Sequence, residues 1–549
     1  MKGALRGRIV TMNAAFDVIA DGVLYIDGKT IVAAQNHAAP PPAGFADVKV
    51  VDTGATLFPG LIELHNHLAY NVLGLWTVPK KFANRDQWAA LPSYHKNVGA
   101  TMRVLATQPN LVPAITRYTE CKVLAGGVTA SQGLTLSSNA GMRKFFRGLV
   151  FNVEDTVDAE LPNAKARIAD VDTKGASAFL ASLSKTCTLL HLSEGTDQHA
   201  HRAFEALATA NPVAITSSLS GIHSVALTPA DFKLLASKKA SMVWSPLSNL
   251  LLYGETANVK AARDAGVTIG LGPDWTYSGS KNLLGELKVA RSVSKLQKLG
   301  FSDRDLLAMA TVNAAKILRW DAHVGSLEAG KRAFVVAIEG TKADAYATLF
   351  EATEENVRLV VIDGSARYGD AALMTKLGSA GETLKVAGKS RTVCLADDQP
   401  GAPAITLGDA TAALTDAMKK LPLVAKAAFA PQREMLSAMA LRNAPPRWSL
   451  ALDELEDTGV DLRPHLEAAG MRTGPTVRDT PVHEEDVQSM RLDPLTFVDD
   501  ARYIDTIAAQ PNLPPELKDE LYALYGRKPT KAARGTPTRA ARRENSVTL

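Results

Sequence analysis

The chain has 549 residues, of which 46% are hydrophobic, 6% aromatic and 21% charged. Charges of both signs are intermixed, which excludes a disordered or fibrous chain and leaves material for a sizeable core. The net charge is only +4, and residues 527–543 alone carry seven basic and no acidic side chains. A whole-protein affinity for nucleic acid is therefore not expected.

The cysteines and the apolar runs exclude further classes of protein. The three cysteines lie far apart without a Cys-x-x-Cys pair, which argues against a disulfide framework and a cysteine-based zinc site. The first ten residues lack the continuous apolar core of a secretory signal. No run approaches the ~20 apolar residues of a membrane span. We therefore expect a soluble, cytoplasmic protein with no membrane partner.

The central part of the chain has the pattern of an α/β fold. Residues 1–55 predict short strands, with a hairpin turn at Asp27-Gly28. In residues 56–323, apolar strand patterns alternate with helical ones, which predicts a parallel sheet wrapped by helices. This length fits a (β/α)8 TIM barrel of roughly 250 residues, although periodicity alone also allows an open sheet. The predicted strands are residues 61–67, 127–131, 149–154, 188–192, 214–217, 242–245 and 268–271.

The remainder of the chain predicts three further regions. Strand patterns return in residues 324–396. Residues 397–526 predict a mixed helical and loop extension, with helices over 407–421 and 515–525. Residues 527–549 predict a basic, disordered tail.

The first predicted barrel strand ends in two histidines. His65 and His67 are separated by one residue, and residues i and i+2 of a strand project from the same face. The C-terminal ends of barrel strands are where barrel enzymes place their active sites. Neutral imidazole is a good ligand for a divalent ion. This pair therefore indicates a metal site.

Other strand ends supply matching side chains. His191 closes an apolar run and is followed by Glu194, and His223 follows the next predicted strand. Asp274 comes just after the strand that ends at Leu271, with glycine at 272 allowing a close approach. Four strand ends that all carry such groups favour a metal site over satisfied core histidines.

Several other polar residues are interpreted as structural. His199 and His201 also form a His-x-His pair, but they lie in a predicted helix, where i and i+2 do not share a face. Glu63 lies two residues before His65 and so projects from the same face of the predicted strand, but deeper inside the barrel. We therefore interpret it as a buried structural carboxylate. The strand at residues 149–154 has no lysine that could bridge two ions, which favours a single metal. The alternative is a two-metal site in which Glu154 takes part.

The sequence resembles the amidohydrolase superfamily, and more closely the branch that contains cytosine deaminase and the triazine chlorohydrolases. The resemblance covers residues 1–370 and rests on six stretches in a specific order. They are Pro59-Gly-Leu-Ile-Glu-Leu-His-Asn-His67, His191-Leu-Ser-Glu194, Gly221-Ile-His223, Ser245-Pro-Leu-Ser-Asn249, Leu271-Gly-Pro-Asp274 and Val324-Gly-Ser-Leu-Glu-Ala-Gly-Lys331. The family usually has Ala-Asp after the last of these, whereas Arg332-Ala333-Phe334 stands here.

The resemblance implies a (β/α)8 barrel plus a small β-sandwich built from both flanks, residues 1–55 and 324–396. It implies that His65, His67, His191 and Asp274 bind one divalent ion, with Zn²⁺ expected first and Fe²⁺ as the alternative. By the same resemblance Glu194 is the acid/base for the leaving nitrogen. His223 and Asp274 complete the catalytic set, with His223 donating to developing negative charge.

These residues predict a hydrolase that acts on a small molecule and needs no organic cofactor. A metal-bound hydroxide would attack an sp² carbon and cleave a non-peptide C–N bond, by deamination of a heterocycle or opening of a cyclic or linear amide. The alternatives are hydrolytic dehalogenation of a triazine-like ring and a metal-free scaffold. Trp76, Trp88, Tyr94 and Trp275 suggest a partly aromatic pocket, which His95 could line, and we expect a homo-oligomer.

Overall fold

The structure is a computed structural model. It describes residues 2–106, 108, 110–133, 149–168, 170–183, 185–340, 342–395, 405–429 and 482–528. The predicted tail lies outside this range except for residues 527 and 528, as does the middle of the predicted extension.

The strands of the described residues alternate with helices between Leu61 and Leu271, and cluster without helices before that. They are β1 Gly3–Val10, β2 Val18–Asp27, β3 Thr30–Asn36, β4 Val50–Pro59, β5 Leu61–Ile62, β6 Val128–Ser131, β7 Phe151–Asn152, β8 Ala164–Arg167, β9 Cys187–Leu192, β10 Leu219–His223, β11 Ser241–Trp244, β12 Thr268–Leu271, β13 Val335–Glu339, β14 Val357–Ile362, β15 Ser365–Asp370, β16 Glu382–Val386 and β17 Lys389–Val393.

The helices follow the same rhythm and continue into the C-terminal region. They are α1 Arg85–Ala89, α2 Pro92–Tyr94, α3 Thr101–Ala106, α4 Leu111–Ala125, α5 Ala176–Ser182, α6 Gln198–Ala208, α7 Pro229–Ser237, α8 Pro246–Tyr253, α9 Val259–Asp264, α10 Leu283–Leu296, α11 Asp303–Met309, α12 Val312–Leu318, α13 Ala345–Glu351, α14 Ala371–Lys376, α15 Leu407–Lys419, α16 Leu421–Phe429, α17 Tyr503–Ala509 and α18 Pro515–Leu524. A π-helical segment, His95–Ala100, joins α2 to α3. None of the helices in the described ranges combines the length and apolar character that crossing a membrane requires.

Eight parallel strands carry the α/β part of the fold. One sheet has the order β5-β6-β7 and the other β12-β11-β10-β9-β8. The two sheets approach each other on both sides: Leu64 N donates to Leu271 O at 3.4 Å, and Ala164 N donates to Val153 O at 2.8 Å. All eight strands run in the same direction within their sheets, so their C-terminal ends lie on one side.

Both flanks of the α/β part join one nine-stranded sheet, with the order β16-β17-β15-β14-β13-β4-β1-β2-β3. The connection is β4, which pairs parallel with β1 and antiparallel with β13. The predicted hairpin at Asp27-Gly28 joins β2 to β3, and Gly28 has the positive φ, 59°, that favours glycine. Residues from the two ends of the chain are thus held together beside the parallel strands.

Three sequence predictions of strands were wrong. The strand predicted at residues 61–67 ends at Ile62, so His65 and His67 lie in the segment that follows β5 and not within a strand. Residues 214–217 are not a strand; the strand is β10, so His223 ends it instead of following it. Strand β8 was not predicted at all, because its sequence Ala-Lys-Ala-Arg has no apolar run. Strand β8 joins the sheet through backbone pairing with β9, which does not depend on the hydropathy of its side chains.

A C-terminal arm, which we define as residues 482–528, packs against the α/β part through buried charges. Lys122 and Lys281 both form ion pairs with Asp493, and Lys281 also pairs with Asp500 at 3.0 Å. All four side chains are almost completely buried. Lys122 Nζ also donates to Asn71 O at 2.7 Å. Buried charges of this kind are tolerated only when each is paired.

We expect Asp493→Ala to destabilise the fold by about 3–5 kcal/mol, because it leaves the buried Lys122 ammonium without this carboxylate. Urea unfolding at pH 7 measures the change. The matched control is Asp264→Ala, which removes the exposed pair with Lys260 and should leave the unfolding midpoint unchanged. Equal effects of the two substitutions would contradict the prediction.

Candidate metal and catalytic site

Four predicted ligands converge at the C-terminal ends of the parallel strands. His65 Nε2 lies 3.1 Å from His191 Nε2. Asp274 Oδ1 lies 3.3 Å from Nε2 of both His65 and His67. Each of these side chains is at most 4% exposed. The structure thus brings together side chains from β9 and from the segments that follow β5 and β12.

Backbone pairing holds this convergence in place. Asp274 N donates to His65 O at 3.1 Å, and His67 N donates to Asp274 O at 2.9 Å. Gly272 allows the approach, since a Cβ there would lie 2.6 Å from His65 N. Asp274 has a positive φ of 67°, an uncommon backbone conformation that clusters at functional sites.

The arrangement fits a divalent ion. With tetrahedral bonds of about 2.0–2.1 Å to zinc, neighbouring ligand atoms are about 3.3 Å apart, close to the distances between these nitrogens and Asp274 Oδ1. Asp274 Oδ1 is buried and accepts no hydrogen bond among the described residues. A buried carboxylate oxygen in such a position is costly unless a cation satisfies it. Three imidazoles and one carboxylate are also a donor set suited to zinc.

Two serines contact the atoms of the predicted ligands that face away from the common centre. Ser245 Oγ lies 2.8 Å from His65 Nδ1, and Ser248 Oγ donates to Asp274 Oδ2 at 2.6 Å. Both serines are fully buried at the start of α8. Contacts of this type hold a ligand's ring or carboxylate in one orientation.

Glu194 lies beside the predicted metal ligands with its two oxygens in different surroundings. Tyr253 Oη donates to Glu194 Oε1 at 2.7 Å, and Trp88 Nε1 donates to Tyr253 Oη at 2.9 Å. Glu194 Oε2 is 3.7 Å from both His223 Nε2 and Arg85 Nη1. Burial, and then the nearby Glu194 charge, raises the pKa of Tyr253 well above 10, so this hydroxyl keeps its proton for the carboxylate.

His223 faces the same centre from the end of β10. Its Nδ1 lies 2.9 Å from Asn249 Oδ1 and therefore donates to it. Asn249 Nδ2 donates to Thr256 Oγ1 at 3.3 Å, which is consistent with this orientation of the amide. A neutral His223 then presents a lone pair at Nε2. The predicted donor role at Nε2 consequently requires a proton on both ring nitrogens, and Glu194 Oε2 lies 3.7 Å from Nε2.

Aromatic rings cover the site on one side. The Trp275 ring lies 5.4 Å from His67 and 5.5 Å from Tyr277, and Tyr94 lies 6.2 Å from Trp275. Trp76 stacks on Tyr277 at 5.4 Å with an interplanar angle of 13°. The aromatic surroundings expected from the sequence are present, with Trp275 in contact with a predicted ligand.

The residues interpreted as structural lie away from the centre. On α6, His199 lies 3.0 Å from Asp86 and His201 lies 2.8 Å from Asp231, so each binds a carboxylate of its own. His95 is exposed at the start of the π-helical segment.

The two other carboxylates considered are also engaged elsewhere. Glu63 accepts hydrogen bonds from Asn66, Ser131 and the Leu283 amide, and burial raises the pKa of Glu63 to about 7. Glu154 accepts from the Gly133 amide at 3.0 Å. Among the described residues, neither belongs to a group of side chains that could share an ion.

Comparison with known proteins gives a consistent assignment. The amidohydrolase family profile matches residues 189–367. A 5-methylthioadenosine/S-adenosylhomocysteine deaminase of Moorella thermoacetica is 25% identical over 383 residues, which are 61% of this chain and 86% of that protein. Residues 189–367 of this chain are thus similar to the amidohydrolase family, and the wider alignment extends that similarity to a deaminase.

Solved structures share the fold of this chain. The zinc-bound adenosine deaminase of Xanthomonas campestris superposes with a TM-score of 0.54 at 20% identity, over 68% of this chain and 96% of that one. A zinc complex of an atrazine chlorohydrolase variant from Arthrobacter aurescens superposes with a TM-score of 0.51 at 17% identity, over 66% and 94% of the two chains.

Several residues around the site were not predicted. Ser245, Ser248 and Asn249 belong to a stretch that carried the family resemblance, and the position of that stretch after β11 was a usable signal for them. No sequence signal pointed to Arg85 or Tyr253, because their contacts with Glu194 arise from tertiary packing.

We expect Ser248→Ala to weaken zinc binding by about 10–100-fold, because Asp274 loses the donor that orients it. Competition with a chromophoric chelator measures the dissociation constant. The control is Ser237→Ala, which removes a hydroxyl bonded to Leu234 O on the surface of α7 and should not change zinc affinity. Unchanged affinity in Ser248→Ala would show that Asp274 is oriented by other contacts.

We expect the metal-free protein to lose stability as the pH falls below 6.5. Burial, and then neighbouring histidines, holds the pKa of His65 and His191 well below 6.5 in the folded protein. The unfolded chain therefore binds more protons than the folded one below pH 6.5. Each such histidine adds a slope of up to about 1.4 kcal/mol per pH unit.

Urea unfolding of chelator-treated protein between pH 5 and 7.5 measures this slope. His65→Gln should make the slope shallower, whereas His199→Gln, at an exposed position, should leave it unchanged. An identical slope in all three proteins would refute the assignment.

Proposed function

We propose that this protein is a metal-dependent amidohydrolase, namely a deaminase that hydrolyses a non-peptide C–N bond of an amino-substituted heterocycle. The observation that carries the proposal is the convergence of His65, His67, His191 and Asp274 beside a buried carboxylate, Glu194, whose Oε1 accepts from the Tyr253 hydroxyl. The deaminase relative, aligned over 86% of its own length, supports it.

The four converging residues would hold one divalent ion, and we propose Zn²⁺, with Fe²⁺ as the alternative. When bound, such an ion lowers the pKa of a water ligand from 15.7 toward about 7 and so supplies a nucleophile at neutral pH. Asp274 is placed to accept a proton at Oδ1, while Ser248 holds its other oxygen.

Glu194 is proposed to carry the proton to the leaving nitrogen. Its Oε1 is occupied by the Tyr253 hydroxyl, so the mobile proton resides on Oε2. Arg85 Nη1 and His223 Nε2 each lie 3.7 Å from that oxygen, beside the proposed path of the proton. General acid catalysis of this kind contributes about 10²–10⁴-fold to the rate.

His223 is proposed to stabilise negative charge on the substrate. The Asn249 amide oxygen accepts from Nδ1 and fixes the ring, so that Nε2 faces the reacting atoms. In the protonated state this nitrogen donates to developing charge, an interaction worth about 3–4 kcal/mol for a well-placed donor.

The substrate is proposed to be a flat, small molecule. Trp275, Tyr277 and Tyr94 present aromatic surfaces within 6.4 Å of one another, and such surfaces favour stacking with a planar ring. An aminopurine or aminopyrimidine ring meets this requirement and carries the amino group that Glu194 would protonate.

Further proposals concern the whole chain. The eight parallel strands form a closed (β/α)8 barrel in residues 56–323, and the nine-stranded sheet of residues 1–55 and 324–396 folds as the small sandwich around its own apolar core. We further propose that the described residues 405–429 and 482–526 belong to an extension that follows the sandwich. We also propose a cytoplasmic homo-oligomer that does not bind nucleic acid.

The test is release of ammonia by the zinc-loaded protein from a panel of aminopurines, aminopyrimidines, aminotriazines, amides and lactams. Chelation should abolish turnover, and zinc or iron addition should restore it. Glu194→Gln should lower kcat by about 10²–10⁴-fold with unchanged metal content. Glu205→Gln, at an exposed carboxylate on α6, is the control and should match the wild type.

The outcomes separate the alternatives. Chloride release from a chlorotriazine without ammonia release would favour dehalogenation. Failure of the protein to retain zinc or iron would favour the metal-free scaffold. Near wild-type turnover of Glu194→Gln would remove Glu194 from the mechanism.

A further inference from the structure

The C-terminal arm contacts the segment that follows His65 and His67 and leads to α1. We define the substrate loop as residues 71–84, which begins four residues after His67 and ends just before α1. The arm reaches its start, where Asp493 N donates to Val72 O at 2.9 Å. The adenosine deaminase structure, matched over 96% of its length, covers 68% of this chain, so about a third of the chain is additional to that shared fold.

Two amide side chains of the arm bind the backbone of the substrate loop. Gln510 Nε2 donates to Trp76 O at 2.7 Å, and its Oε1 accepts from Val78 N at 3.1 Å. Asn512 Nδ2 donates to Lys80 O at 2.9 Å. Gln510 is fully buried and Asn512 is nearly so. These bonds span the middle of the loop, where the side chains of residues 79–81 are exposed.

The same loop carries groups that shape the site. Trp76 stacks on Tyr277 and Phe82, and Tyr277 packs on Trp275 beside the predicted ligands. At its other end, Ala83 O accepts from Thr196 N at 2.7 Å, two residues after Glu194. A shift of the loop would therefore move the aromatic wall and the strand end that carries Glu194.

Asn512 links the loop to a second element of the site. Its Nδ2 also donates to Leu251 O at 2.6 Å, and Leu251 lies on α8. The same helix carries Tyr253, which donates to Glu194. One buried amide thus holds the substrate loop at a constant distance from the helix that orients the catalytic carboxylate.

We propose that the C-terminal arm is a specificity element, in which Gln510 and Asn512 are positioning residues that fix the substrate loop and thereby the width of the aromatic pocket. Neither side chain touches the predicted metal ligands, so both act through the loop. The specificity part of this proposal rests on the proposed function, whereas the fixing of the loop does not.

The experiment compares Gln510→Ala, Asn512→Ala and the double variant with the wild type as full-length, zinc-loaded proteins. The first measurement is trypsin cleavage after Lys80 and Lys81, followed by mass spectrometry. Loss of buried hydrogen bonds should favour loop opening, so we expect cleavage about tenfold faster in each single variant and faster still in the double variant.

The second measurement is steady-state kinetics with small and bulky amino-heterocycles. KM should rise by about tenfold or more, with kcat changing less, and the ratio of kcat/KM between bulky and small substrates should increase. Zinc content should stay at the wild-type level, which a general loss of folding would not allow. Gln510→Met, which keeps the side-chain volume without the hydrogen bonds, serves if Gln510→Ala does not fold.

The control is Thr506→Ala, which removes a hydrogen bond internal to the arm, from Thr506 Oγ1 to Arg502 O. It should leave both measurements at the wild-type level. Unchanged cleavage in the double variant would overturn the proposal. Faster cleavage with an unchanged substrate ratio would overturn its specificity part. Because cleavage needs no turnover, absence of deaminase activity would count against the proposed function alone.

Discussion

The pairing of the first and last parallel strands is the constraint on which the site depends. His65 O accepts from Asp274 N, and Asp274 O accepts from His67 N, so the histidine pair and the aspartate share one short ladder. Backbone hydrogen bonds fix relative position more tightly than side-chain contacts, because they involve no side-chain rotamers. Three of the four ligand side chains are thereby aligned before any ion binds, and such preorganisation limits the conformational cost of binding.

Behind the ligands lies a continuous buried polar network. Glu63 accepts from Asn66, which accepts from Asn71, and Lys122 donates to Asn71 O and to Asp493. The network connects the residue between the two histidines with the C-terminal arm. A buried polar network is stable only when its members are satisfied. The arm is therefore part of the support of the site, because it supplies the carboxylate that compensates Lys122.

The convergence of the four candidate side chains could be predicted from the sequence because strand ends are local features. An apolar run that closes on a histidine, as at His191, is visible in a few residues, and parallel strands bring their C-terminal ends to the same side of a sheet. The strand Ala164–Arg167 could not be predicted from the sequence, since it contains two charged residues and is defined by its pairing with β9. Likewise nothing near Tyr253 in the sequence indicates Glu194, which lies 59 residues away along the chain. The contacts of Gln510 with the substrate loop span more than 430 residues and could only be found from the structure.

Backbone strain at the site argues that its geometry is held by the surrounding fold. His223 and Asp274 both have positive φ, as do Ser193 and Ser224, and each such non-glycine residue costs about 1–3 kcal/mol. The ladder at Asp274 and the hydrogen bond from Ser224 N to Leu192 O offset this cost. A relaxed backbone at His223 or Asp274 would redirect the side chain away from the common centre. The strain is therefore located at two of the candidate site residues, and the hydrogen bonds of the neighbouring strands maintain it.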